Sequence, residues 1–92
     1  MPSVTILVPA ALRKYCDGAA ELPVSATNVR GALEALARAH PALHSNVCDE
    51  TGALRRHLNV FVNMSHVRDR DGLDTVLSPG DTVTILAAVS GG

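Results

Sequence analysis

Three short segments of the chain alternate apolar and polar residues, and this period of two restricts the fold more than any other feature of the sequence. The segments are residues 3–8, 58–63 and 82–89. Such alternation predicts β-strands that bury one face and leave the other face open. The faces predicted to be buried are entirely aliphatic and consist of Val4, Ile6 and Val8, of Leu58, Val60 and Val62, and of Val83, Ile85 and Ala87. A further strand is predicted at 21–25, on the edge of a sheet, because Pro23 cannot donate a backbone hydrogen bond.

One stretch, residues 29–40, has the spacing of an amphipathic helix. Its apolar side consists of Val29, Leu33, Leu36 and Ala37. Thr27 is the predicted N-cap of this helix, Pro41 is expected to end it, and residues 44–56 are expected to form a loop. With a short strand at 66–67, the order is strand, strand, helix, strand, short strand, strand. This order predicts an α+β fold, in which a mixed sheet of four to five strands carries one main helix on one face.

The size and composition of the chain limit the functions that it can have. Its 92 residues suffice for one domain, which we expect at 1–89 with a flexible tail at 90–92. Aromatic residues make up 2% and the net charge is −1, which argues against nucleic-acid binding, because that function needs a strongly basic surface and a row of stacking side chains. No segment approaches the roughly 20 apolar residues that span a membrane. Because Cys16 and Cys48 suggest no disulfide framework, we expect free thiols and a cytoplasmic protein.

Four features follow one another in the second half of the chain. They are Val-Phe-Val-Asn at 60–63, a Pro-Gly-Asp turn at 79–81, the closing strand, and the ending Ala-Val-Ser-Gly-Gly at 88–92. Together they resemble the ThiS/MoaD-type sulfur carriers, which have the β-grasp fold of ubiquitin. Within that family, the segments 54–63 and 87–90 resemble the CysO-type carriers of cysteine biosynthesis. Molybdopterin-synthase small subunits usually have Pro-Pro where this chain has two alanines, which argues against a molybdopterin role.

The resemblance implies that the working group is the C-terminal carboxylate of Gly92. In this family a ubiquitin-activating-type enzyme uses ATP and Mg²⁺ to adenylate that carboxylate, and a sulfurtransferase or other sulfur donor then converts it to a thiocarboxylate. The carrier itself binds no cofactor and supplies no catalytic side chain. Glycine suits this role because it lacks Cβ and reaches backbone conformations closed to other residues. Ser90 and Gly91 would act as a tether that keeps the effective concentration of the carboxylate high.

The resemblance also implies the proteins that receive the carrier after sulfur transfer. One is a sulfur-accepting synthase, for which a PLP-dependent cysteine synthase is a candidate, and another is a JAMM-type zinc metalloprotease. A tail this short requires the body of the carrier to dock beside the partner's active site. Leu7, Phe61 and Leu86 point outward from three strands that are adjacent in a β-grasp sheet, so they are predicted to form an apolar docking face. The alternative is that loops cover these side chains or that each stands alone on the surface.

Other functions stay open at this stage. A ubiquitin-like modifier would join Gly92 to lysines of target proteins, a thiamine- or molybdopterin-type donor would pass sulfur to another acceptor, and a non-covalent regulatory subunit would bind through its sheet alone. His40, His44 and Cys48 have the spacing of metal ligands on one helical face. Because Pro41 interrupts that helix and no fourth ligand is evident, no metal site is expected.

Overall fold

The structure of the protein is a computed structural model that describes residues 1–87. The predictions for Ser90, Gly91 and Gly92, and for the last two residues of the closing strand, lie outside the described residues. The proposed boundary between a domain at 1–89 and a tail at 90–92 therefore stays a prediction.

Five strands form one mixed sheet. They are β1 (Ser3–Leu7), β2 (Glu21–Ser25), β3 (Leu58–Val62), β4 (Ser65–His66) and β5 (Thr82–Ala87). Their order across the sheet is β2-β1-β5-β3-β4. The central strands β1 and β5 are parallel, and every other neighbouring pair is antiparallel. The predicted α+β fold with four to five strands is confirmed, and so is the edge position of the strand that contains Pro23.

The main helix α1 (Val29–Ala39) crosses one face of the sheet. Asn28 is its N-cap, since its side-chain oxygen accepts a hydrogen bond from the backbone N–H of Gly31 at 2.8 Å. The prediction of Thr27 as the N-cap was wrong by one residue. The carbonyl oxygen of Thr27 instead accepts a hydrogen bond from the backbone N–H of Leu77 at 2.9 Å, which ties the start of α1 to the segment before β5.

A second helix, α2 (Pro41–Val47), follows at once. The prediction that 44–56 is a loop was wrong for its first four residues. Pro41 ends α1, as expected, but it also occupies the first turn of α2, where its missing N–H and fixed φ are compatible with a helix. Leu43 and Val47 are buried, so α2 extends the apolar cover that α1 provides.

Within residues 1–87, three 3₁₀ helices occupy connections for which no helix was predicted. They span Ala10–Cys16, Val67–Asp69 and Gly72–Asp74. The first fills the connection between β1 and β2, and it buries Cys16. Cys16 and Cys48 are both unpaired and buried, which agrees with the expected free thiols.

The core lies between α1, α2 and the inward face of the sheet. All of the residues predicted to face inward from the three alternating strands are buried except Ala87, which is exposed at the end of β5. From α1 the buried residues are Val29, Ala32, Leu33 and Leu36. Within residues 1–87, no helix is long and apolar enough to cross a membrane.

Candidate docking face and tail exit

The three side chains of the predicted docking face lie on the side of the sheet that faces away from the helices. Leu7 and Phe61 are both register partners of Thr84, so they flank β5 from opposite sides. Leu86 is two residues further along β5, opposite Asn59. The alternation of the sequence therefore placed all three on one face, and the strand order makes them neighbours.

The exposure of these three side chains differs. Leu86 is 47% exposed, whereas Leu7 and Phe61 are each partly buried. Part of the cover over Phe61 comes from His66 on β4, whose ring meets the Phe61 ring edge-on with 4.9 Å between centroids. The candidate docking face is therefore an apolar surface on which Leu86 is the most exposed of the three side chains.

His66 is fixed by hydrogen bonds at both ring nitrogens. Its Nδ1 accepts from the backbone N–H of Arg68 at 3.0 Å, so the ring proton is on Nε2, which donates to the side-chain oxygen of Asn59 at 3.0 Å. This arrangement orients the imidazole against Phe61. The contact of His66 with Phe61 was not predicted, because it depends on the pairing of β3 with β4.

Two of the segments that carried the family resemblance meet in space. Asn63 follows β3 with φ 55°, in the left-handed region. Its side-chain amide donates to the carboxylate of Asp81 at 3.0 Å, and its side-chain oxygen accepts from the backbone N–H of Thr82 at 3.0 Å. The Asp81 carboxylate also accepts from the backbone N–H of Ser78 at 2.9 Å. These bonds join the turn after β3 to the turn before β5, so these residues have a structural role.

The same contacts set the charge of Asp81. The hydrogen bond from Asn63, followed by that from the Ser78 backbone, holds the pKa of the Asp81 carboxyl below its usual value. Hydrogen bonds stabilise the ionised carboxylate, and this lowers the pKa.

The described part of β5 ends at Ala87, at the edge of the candidate docking face. Ala87 is the register partner of Leu58, the first residue of β3. Leu86, the most exposed residue of the docking face, immediately precedes it. The described part of the chain therefore ends beside the apolar face.

A separate open groove of about 540 Å³ lies between α2 and the loop that follows it, and it is lined in part by His44, Cys48 and Arg55. Cys48 is buried, and this burial raises the pKa of its thiol, which disfavours the reactive thiolate. Within residues 1–87, no three His, Cys, Asp or Glu side chains are grouped so that they could hold a metal ion.

A mixed five-stranded sheet with its main helix across one face defines the class of the protein, the ubiquitin-like β-grasp proteins. Comparison with known proteins identifies the family within this class. The ThiS family model matches residues 6–92, and the chain belongs to that family.

Relatives agree with this assignment. The sulfur carrier protein CysO of Mycobacterium tuberculosis is 33% identical over 92 residues, which cover 98% of this chain and 99% of that protein. The CysO chain in the crystal structure of the Amycolatopsis orientalis BexX/CysO complex superposes with a TM-score of 0.88 and 32% identity, covering 97% and 99% of the two chains. The small archaeal modifier protein 1 of Methanosarcina acetivorans gives a TM-score of 0.88 and 32% identity, covering 100% and 98%. The chain is thus a sulfur carrier protein of the CysO and ThiS type.

Proposed function

We propose that this protein carries sulfur as a thiocarboxylate on Gly92, after that residue has been adenylated by a partner enzyme. The observation that carries the proposal is the match to the ThiS family, which extends through residue 92 and so includes Gly91 and Gly92. Sulfur carriers of this type are in general small proteins without catalytic activity. The protein would accordingly be a co-substrate of the adenylating enzyme.

The proposed chemistry has two steps, both at the carboxyl group of Gly92. A carboxylate oxygen of Gly92 attacks the α-phosphorus of Mg²⁺-bound ATP, and pyrophosphate leaves, which forms the acyl-adenylate. Sulfide then attacks the carbonyl carbon, and AMP leaves with the electron pair of the broken C–O bond, which gives the thiocarboxylate. A persulfide donor would attack in the same way but give an acyl disulfide, whose S–S bond is broken by a second thiol that forms a disulfide with the donor and releases the thiocarboxylate. The absence of Cβ at Gly92 leaves the carbonyl open to this attack. Ser90 and Gly91 would tether the reacting group to the body.

The acceptor of the sulfur is proposed from the similarity to CysO. We infer a role in cysteine biosynthesis, in which a sulfurtransferase or other donor loads the carrier and a PLP-dependent cysteine synthase receives the sulfur. A JAMM-type zinc metalloprotease would process the product. These partners would meet the carrier in the cytoplasm.

The docking face would bind the adenylating enzyme. Five residues follow Ala87 in the sequence, and a fully extended chain of this length reaches about 18 Å. Any enzyme that acts on Gly92 must therefore approach within this distance of the end of β5, where Leu86 projects. Phe61, held by His66, offers a partly buried aromatic anchor of the kind that often dominates interface energies. The crystal structure of the BexX/CysO complex supports the view that a carrier of this type docks on another protein.

A second candidate function is conjugation to proteins. The 32% identity to the small archaeal modifier protein 1 favours it, because the same activated Gly92 could be transferred to a lysine amine instead of sulfur. The two functions share the adenylation step and differ in the nucleophile that attacks the acyl group.

Intact-protein mass spectrometry tests the proposal. The carrier is incubated with the ubiquitin-activating-type enzyme of the same organism, Mg²⁺-ATP and a sulfur donor, and the mass change for one oxygen replaced by sulfur is followed. Deletion of Gly92 should abolish the change. Gly92→Ala should slow it, because the added Cβ disturbs a site that depends on close positioning. One extra residue after Gly92 should be worse than Gly92→Ala, because it moves the carboxylate about 3.5 Å along the chain.

Thermal unfolding of the three variants provides the control, and their stability should equal that of the parent protein. If the Gly92 deletion gains sulfur at the parent rate, the protein is not a diglycine carrier and a non-covalent binding module becomes the better interpretation. Peptide mapping of cell extracts distinguishes conjugation to proteins from sulfur carriage, because conjugation would leave Gly92 in isopeptide bonds to lysine.

A further inference from the structure

Half of the cationic side chains lie at one end of the sheet. Of the eight Lys and Arg residues, four occur as the pairs Arg13-Lys14 and Arg55-Arg56. The first pair follows β1, which runs parallel to β5, so it lies near the end of the sheet where β5 finishes. The second pair precedes Leu58, the partner of Ala87. The two pairs therefore flank the point where β5 ends.

Three of these four cations lie beside that point, and of these Arg13 is partly buried. The Arg13 Nε donates to the backbone carbonyl of Val8 at 3.0 Å, which holds the guanidinium against the end of β1. Lys14 and Arg56 are exposed. The Arg55 Nε makes the same kind of hydrogen bond, to the carbonyl of Ser45 at 2.9 Å, but this holds Arg55 against α2 and not against β1, the strand beside β5.

The charge of these three residues is not neutralised within the described structure. In residues 1–87 the only ion pair joins Arg30 to Asp74, at 3.2 Å. No carboxylate of that part of the chain is therefore within 4.0 Å of a cationic nitrogen of the three residues. Asp17 and Glu21 are exposed at the same end of the sheet, but they form no such pair.

We propose that Arg13, Lys14 and Arg56 form a basic collar that binds an acidic rim around the active-site entrance of the adenylating enzyme. The inference rests on the proposed function, and it adds the charge of the partner surface. Since Gly92 can be at most about 18 Å from Ala87, a partner that holds Gly92 must bring its entrance close to the collar. A protein surface rich in Asp and Glu would supply the counter-charges that the carrier does not supply itself.

The collar acts on the encounter between the two proteins. Charges at the rim of an interface mainly change the association rate and its dependence on salt, and they leave the chemical step unchanged. Their effect weakens as the ionic strength rises, because the Debye length falls from about 10 Å at 0.1 M salt to about 3 Å at 1 M.

The test is adenylation kinetics, measured by ATP–pyrophosphate exchange with the adenylating enzyme of the same organism. The double variant Lys14→Ala/Arg56→Ala, which lowers the net charge by two, should raise the KM for the carrier about tenfold at low salt. The kcat and the KM for ATP should stay unchanged, and the difference should shrink at high salt. Arg70→Glu is the matched control. It makes the same change of charge near Asp81, which directly precedes β5 and so lies at the other end of that strand.

Each other outcome decides against the collar. An unchanged KM for the carrier overturns it, and so does an equal rise with Arg70→Glu, which would make net charge the cause. A change in the KM for ATP would mean that these cations contact the nucleotide instead. If the parent carrier itself gives no exchange, the proposed function fails and the collar fails with it. If the parent exchanges normally and the double variant has the same kinetics as the parent, the collar is refuted and the proposed function is not. Thermal unfolding confirms that the variants are folded.

Discussion

Replacement of Asn63 by alanine should destabilise the domain by an amount that can be worked out from its contacts. The variant loses two hydrogen bonds, one to Asp81 and one from Thr82. Hydrogen bonds contribute about 0.5–1.5 kcal/mol each, and because Asn63 is exposed we take the lower end, about 1 kcal/mol for both. Alanine at φ 55° adds about 1–2 kcal/mol of steric cost that asparagine tolerates better. The expected loss is about 2–3 kcal/mol.

Asn63→Gly separates the two contributions. Glycine adopts positive φ without strain but loses about 0.5–1 kcal/mol more backbone entropy on folding. With the two lost hydrogen bonds, its expected cost is about 1.5–2 kcal/mol, below that of alanine. Asp81→Ala, alone and combined with Asn63→Gly, measures the coupling between the two side chains in a double-mutant cycle.

Urea unfolding followed by circular dichroism provides the free energies, since a domain of this size is expected to unfold in one cooperative step. A loss of about 2–3 kcal/mol also lowers Tm by at least about 8 °C. If both variants stay within about 0.5 kcal/mol of the parent, the contacts between the turns contribute nothing. If glycine is as costly as alanine or costlier, the argument from backbone conformation is wrong.

Three further predictions concern other contacts. Because the folded-state pKa of Asp81 is lowered, its ionisation stabilises the fold above the usual carboxyl pKa, and this stabilisation is lost as the pH falls through the folded-state pKa. Urea unfolding at a series of acidic pH values should therefore show that acidification lowers the free energy of unfolding less in Asn63→Gly than in the parent. Thr75→Val should cost about 1–3 kcal/mol, because the fully buried hydroxyl donates to the Gly72 carbonyl at 2.7 Å, and a loss under about 0.5 kcal/mol would contradict this. Phe61→Asp should block adenylation at unchanged thermal stability, because a charge would be desolvated at the proposed interface; an unchanged rate argues against the docking face, and a collapsed fold means that Phe61 belongs to the core.

The strands were predictable because their pattern is local. A period of two identifies the inward face of each strand without knowledge of its neighbours, and this reasoning placed Leu7, Phe61 and Leu86 on one face. The same reasoning failed at Ala87, which was predicted to face inward but is exposed at the end of β5. Strand ends lie beyond the cover of the helices, so alternation says less about burial there.

The helix boundaries were harder because the same residue serves two roles. Pro41 both ends α1 and begins α2, and only the first role was predicted. Thr27 and Asn28 are both good capping residues, and the choice between them depends on the contact of Thr27 with Leu77, which is distant in sequence. Local rules restrict such a boundary to a few residues and leave the final choice to tertiary contacts.

The contacts around the candidate site could not be predicted in detail. Asn63 and Asp81 are 18 residues apart, and nothing in either segment alone indicates that they meet. His66 reaches Asn59 and Phe61 only because β4 folds back on β3. The family resemblance identified 60–63 and 79–81 as informative, but the structure supplied the reason, which is that their residues connect two turns.

The parallel pairing of β1 and β5 has a consequence for mechanical force. The chain enters the sheet at the start of β1 and leaves the described structure at the end of β5, and these strands lie side by side and point the same way. A pull on the two ends therefore acts along the strands and shears the evenly spaced hydrogen bonds between them together. Bonds loaded one after another, as at a peeling edge, would yield at lower force. A partner that draws on the chain beyond Ala87 thus pulls the body in a direction in which the sheet resists rupture.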